Sequence, residues 1–254
     1  MELSRSQSTT EASSPLNTID EISIIVAAQD LTPTMMSEDF LKFSGIVPKD
    51  WELSQQPILN PTAAQLNYTN GVSVTAQPRT INFSEALNNK KLENIVIPEI
   101  VTKYLEKLPH AEYLGMSFSP KMLVPFPQNP QIVRQFITGR LLGSGSWKDI
   151  GKAPVQAGIN LMYLLDHCQL TVNVAEARLQ QANKAPVAAI LFSGNFNYNL
   201  APDISAEAKI DGLKQGLSFW KSDFLNFRDI VFNKFLSVPE STENLQGESV
   251  FPSL

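Results

Sequence analysis

The chain has little of what most catalytic or metal centres are built from: one cysteine, Cys168, and two histidines, His110 and His167, in 254 residues. A single thiol closes no internal disulfide and forms no cysteine-only metal cage, and its scarcity fits a reducing compartment. The histidines stand far apart and show no helical His-x-x-x-His or Glu-x-x-His spacing, so no metal ligand and no cofactor is expected. Basic runs are short as well. The longest is Lys90–Lys91 and the formal net charge is −5, which excludes the clustered cations that displace counterions from nucleic acid. No stretch approaches the roughly 18–20 consecutive apolar residues that cross a bilayer, and the first residues carry no apolar signal core. The expected location is cytoplasmic, with no nucleic-acid or membrane partner.

Nucleophile and phosphate motifs are missing too. There is no Gly-x-Ser-x-Gly elbow. Gly143 to Lys152 resembles a phosphate loop only superficially, because Gly145 and Gly151 are separated by one residue too many and Ala153 stands where a hydroxyl should hold the metal. Asp166-His167-Cys168 places three chemically able side chains in a row. Neighbours on a strand point to opposite faces, so His167 activates Cys168 only if a turn brings the two together. His110 directly follows Pro109 at a helix end, where the helix dipole explains it. No catalytic residue is assigned.

What is present is an ordinary globular composition, 43% hydrophobic and 18% charged, with one dominant pattern. Ile210, Leu213, Leu217, Trp220, Phe224, Phe227 and Val231 recur at alternating spacings of three and four, the stripe of an amphipathic helix over Ile210 to Phe235. Ser205 and Glu207 supply a start, and Pro239 supplies a stop. Phe219, Phe232 and Leu236 widen the apolar sector beyond what one core contact needs. Phe219, Trp220, Phe224, Phe232 and Leu236 are therefore the candidate interface.

Upstream, Ile22–Ala28 reads as a buried strand. Asn70-Gly71 marks a tight hairpin between Leu66–Thr69 and Val72–Ala76, and Pro98–Leu108 reads as a helix with proline in its first turn. Tyr113–Val124 is extended, and Ile132–Leu142 is a short helical stretch. Beyond Gly143, alternation at Val155–Tyr163, Leu170–Val174 and Ile190–Tyr198 gives three strands before the long helix. The expected class is α+β: antiparallel sheet packed against helices, with two similar strand-strand-strand-helix halves as the order of elements suggests. The expected divisions are a disordered tail over 1–21, a first half over 22–142, a flexible joint over 143–154, a second half over 155–236 and a disordered tail over 237–254.

The stretches Ile22–Ala28, Gly71–Phe83, Leu114–Phe118 and Leu217–Phe224 give the chain a layout similar to that of a sporadically distributed family of uncharacterised bacterial proteins of about this length. The resemblance implies an N-terminal strand, a middle strand and helix, a later hairpin and a closing amphipathic helix. The family has no assigned activity and usually carries a histidine in that closing helix, which this chain lacks, so no site residue follows from it.

Two functions are then open. One is a non-enzymatic protein that associates through the closing helix, as a homodimer or as a subunit of a larger assembly. The other is a small-molecule-binding protein or enzyme with a pocket between sheet and helices, to which Asp166, His167 and Arg178 contribute.

Overall fold

The computed structural model describes residues 18–87, 90–127, 129–143, 145–180, 184–201 and 204–237. Within these, the chain opens with β1 (Ile19–Ala28) and a short helix α1 (Glu38–Phe43). The strands β2 (Ile58–Leu59), β3 (Ala64–Asn67), β4 (Val72–Gln77) and β5 (Thr80–Ala86) follow, then helix α2 (Ile97–Lys107). The same order then recurs: β6 (Tyr113–Pro125), α3 (Pro130–Gln135), β7 (Gly158–Leu164), β8 (Gln169–Leu179), β9 (Val187–Asn199) and α4 (Ala206–Ser218). A further helix, α5 (Trp220–Asp229), closes the described chain together with a π-helical turn, Ile230–Phe235.

Local chemistry explains most of these starts and turns. Gly71 takes a φ of 87°, the left-handed conformation that glycine reaches without a Cβ penalty, and Asn70 Oδ1 accepts the Val72 N–H at 3.1 Å to close the hairpin. Ser37 Oγ accepts the Phe40 N–H at 3.1 Å to cap α1, and Ser205 Oγ accepts the Ala208 N–H at 3.2 Å to cap α4. The free N–H groups that open α2 are met from outside the helix. Glu85 of β5 accepts from Val96 at 2.9 Å and from Ile97 at 3.2 Å, which places a carboxylate at the positive end of the helix.

Among the described residues the nine strands form one antiparallel sheet in the order β2-β3-β4-β5-β1-β6-β9-β8-β7. Read outward from the centre, β1-β5-β4-β3 mirrors β6-β9-β8-β7. Each half runs strand, short helix, three strands, helix, and the first half adds the two-residue β2 outside β3. The antiparallel expectation therefore holds with a fourth strand per half, and that strand comes first in sequence and lies at the middle of the sheet. The halves divide between α2 and β6, not at 143–154, because β6 pairs with β1 on one side and β9 on the other. The Gly/Ser-rich stretch is a loop inside the second half, holding a 3-10 turn at Ser146–Asp149.

One face of the sheet carries the core. Val74, Phe83, Ile24, Phe118, Phe196 and Leu170 are all buried and sit in register from β4 to β8; α2, α4, α5 and α3 pack over this row. The opposite face is polar with few charges, and Ser73, Ser84, Ser23 and Ser119 line up across β4, β5, β1 and β6. An antiparallel sheet can leave one face wet, and this one does.

The predicted closing helix is built as two helices and a turn. Phe219 interrupts it, donating its N–H to Gly216 at 3.1 Å in a tightened last turn of α4. Leu213, Leu217, Phe224, Phe227 and Val231 are buried as the periodicity requires. Ile19, Asp20 and Glu21, expected in the first tail, belong to β1, where Asp20 takes a 2.9 Å ion pair from Arg228 of α5. Thr18 and Ser237 are also described, and residues 1–17 and 238–254, with Pro239, lie outside the described residues. No described helix is long and apolar enough to cross a membrane.

Candidate functional site

The turn between β7 and β8 is closed by the Leu165 N–H, which donates to the Cys168 carbonyl at 2.9 Å. It carries His167 and Cys168 off the strand alternation that would have separated them. Opposite the turn, the first turn of α5 presents Asp223, and β9 presents Tyr198. The helix stripe explains the acid's position: Asp223 follows Trp220 by three residues and precedes Phe227 by four, so it sits on the inward side among apolar neighbours.

Asp223 is only 2% exposed. A buried carboxylate is costly unless it is paired, and this one is. His167 Nε2 lies 2.9 Å from Oδ1 and 3.2 Å from Oδ2, and the Tyr198 hydroxyl donates to Oδ2. An ionised carboxylate only accepts, so Nε2 carries the hydrogen in this pair. The imidazole lies against the Phe219 ring, with centroids 4.4 Å apart, while its side chain remains 28% exposed. Burial and the adjacent carboxylate push the Tyr198 hydroxyl well above the ordinary phenol range.

Cys168 completes the group. Ligand atoms of His167, Cys168 and Asp223 all lie within 4.8 Å of one another. Burial, helped by the Asp223 charge, pushes the thiol up to about 11, so it stays protonated at neutral pH. An activated cysteine nucleophile needs the opposite shift. The trio is thus a set of nitrogen, sulfur and oxygen donors and not a primed catalytic triad.

The side chains proposed for one pocket do not share one. Asp166 is exposed in the β7–β8 turn beside His167. Arg178 lies near the far end of β8, roughly 30 Å along the strand at about 3.3 Å per residue. There it lines an open groove of about 1080 Å³ together with Arg134 and Glu176, which pair at 3.5 Å. His110 lines a separate cavity of about 230 Å³ beside Met36 and Tyr104.

The proposed interface residues also separate. Phe224 is buried in the chain's own core. Trp220, Phe232 and Leu236 are half-buried against that core, and Arg228 stacks over the Phe224 and Phe232 rings at 5.8 and 5.5 Å. Phe219 is half-buried against the histidine. A larger uncovered apolar feature lies at a sheet edge. Among the described residues β7 has β8 on one side and no strand on the other, and all seven of its residues, Gly-Ile-Asn-Leu-Met-Tyr-Leu, are uncharged. Met162 is 68% and Leu164 85% exposed.

Sequence reading missed Asp223 and Tyr198 as chemical groups. The available signal was an acid inside the apolar stripe of the closing helix. It also missed the edge, because a strand's neighbours are set by the fold. No protein-family model and no curated protein sequence matches this chain.

Proposed function

We propose that the protein is a non-enzymatic association protein, a cytoplasmic homodimer in which β7 of one copy pairs antiparallel with β7 of the other. The observation that carries this reading is the exposed, uncharged, seven-residue edge. A free edge offers a row of unpaired N–H and C=O groups, and soluble proteins normally blunt such edges with charge, proline or short length. The opposite edge of this sheet follows that rule with the two-residue β2. The β7 edge does not.

A second copy suits it for a reason of symmetry. Two-fold antiparallel pairing sets residue i of one copy against residue j of the other and j against i, so a charge anywhere on the strand would enter the joint twice. β7 has none. Met162 and Leu164 on one face and Tyr163 on the other would gain cover, and the two sheets would join into one. Association through the closing helix is less favoured, since Phe224 and Phe227 already spend their area inward.

Sedimentation equilibrium at micromolar concentration tests the proposal. The wild-type chain should be a dimer, and Met162→Lys combined with Leu164→Lys, which sets two cations on each edge, should give a folded monomer. A wild-type monomer across that range, or a dimer indifferent to the double substitution, contradicts it.

A further inference from the structure

We propose that His167, Cys168 and Asp223 bind a divalent transition-metal ion of the zinc class, with one imidazole nitrogen, the thiolate sulfur and a carboxylate oxygen as ligands. The site is independent of the dimer, since it needs residues of one chain only.

The donor set is the first argument. Zinc takes Cys sulfur at about 2.3 Å, His nitrogen at about 2.0–2.1 Å and carboxylate oxygen at about 2.0–2.2 Å in tetrahedral geometry. Tetrahedral ligands at those bond lengths stand about 3.3–3.8 Å apart. Atoms already within 4.8 Å of one another need close by at most about 1.5 Å, and His167 Nε2 and Asp223 Oδ1, at 2.9 Å, need part only slightly to admit the ion. The two donors that must move are consecutive residues of a turn, while the third is fixed on a helix.

The second argument is charge. Asp223 is buried on a helix among aromatic rings, and its partners are a phenol and an imidazole, with no fixed cation among them. A thiol beside it cannot ionise without setting a second anion against the first. A divalent cation resolves both, holding the carboxylate and the thiolate together and expelling the thiol proton to solvent. Mixed nitrogen, sulfur and oxygen donors in a small cluster suit zinc, where oxygen-only sets suit magnesium or calcium.

The third argument is the surroundings. Ligating groups need outer partners that fix their orientation. Tyr198 donates to Asp223 Oδ2, and the Phe219 ring packs against the imidazole at an interplanar angle of 34°. The partial exposure of His167 leaves the fourth tetrahedral position open to water. Three protein ligands and a water is the pattern of zinc sites that keep an open position.

The test is a titration of cobalt(II) into the full chain, free of any histidine tag and kept reduced with a phosphine. One equivalent should bind, with tetrahedral visible bands and a near-ultraviolet thiolate-to-cobalt band, and zinc(II) should then displace it. Cys168→Ser should abolish the near-ultraviolet band, and His167→Gln should abolish stoichiometric binding. Tyr198→Phe, which removes only an outer partner, should weaken affinity about 10- to 100-fold. Circular dichroism checks that each variant is folded. Cys168→Ser and His167→Gln carry the test should an Asp223 variant fail to fold, because both side chains reach the surface. Absence of stoichiometric cobalt binding, a missing thiolate band in the wild-type chain, or unchanged affinity in His167→Gln overturns the proposal.

Discussion

The two halves of this sheet share a strand, helix, strands, helix order and differ in how each meets a buried carboxylate and how each ends its outer edge. Each half buries a carboxylate near a helix start. In the first half Glu85 is met by groups with no freedom to leave: the Val96 and Ile97 N–H groups and, at 2.9 Å, Lys90 Nζ, which also donates to the Asn70 carbonyl. In the second half Asp223 is met by Tyr198 and by a half-exposed histidine next to a thiol. The outer edges differ in the same sense. The first half ends in a two-residue strand, and the second ends in a seven-residue apolar one. One half has closed its liabilities, and the other keeps a polar cluster and an edge available.

Removing the fixed carboxylate breaks the comparison most severely. Glu85→Ala strands Lys90 and two helix-opening N–H groups and should cost about 3–5 kcal/mol, the range for breaking a buried ion pair, measured by urea unfolding. Gly216→Ala comes next. Its Cβ would sit 2.9 Å from Tyr198 Cγ, so the ring must shift and draw its hydroxyl off Asp223. Overpacking of this kind costs about 1–3 kcal/mol, and cobalt affinity should fall with it. Asp223→Asn should be milder, about 1 kcal/mol, because an amide still accepts from Tyr198 and meets His167. If Asp223→Asn proves as damaging as Glu85→Ala, the two carboxylates have equivalent roles and the contrast fails.

The smallest effect is chemical. Because the Cys168 thiol is pushed up to about 11, its thiolate fraction in the folded protein is far below that of a free cysteine. Alkylation by iodoacetamide at pH 8 should be slow in the native chain, and it should accelerate as pH rises toward that value or when the chain is unfolded. Native alkylation as fast as a free thiol's would show that the carboxylate and its surroundings do not govern the sulfur.

What could be read from sequence was whatever neighbours along the chain decide. Asn70-Gly71 fixed a hairpin, Pro98 opened α2, Ser205 capped α4, and period-two alternation found β7, β8 and β9. The buried stripe of the closing helix was legible for the same reason, whereas the break at Phe219 was not. The division between halves was not legible. Gly143 to Gly151 has the composition of a joint, yet the pairing of β6 with β1 decides where the repeat begins. The donor cluster escaped because His167 and Asp223 are 56 positions apart, and only the packing of α5 against the β7–β8 turn joins them. The apolar residues of β7 were legible as a strand, whereas their lack of an outer neighbour was not.

Backbone amide exchange on β7, followed as a function of protein concentration, tests the β7 pairing most directly. Amides that point away from β8 have no strand partner among the described residues, and the proposed pairing would give them one. The expected result is protection at outward-facing β7 amides that grows with concentration and vanishes in the Met162→Lys, Leu164→Lys chain, while β8 and β9 remain protected throughout. Outward β7 amides that exchange as an open edge at every concentration would contradict the account.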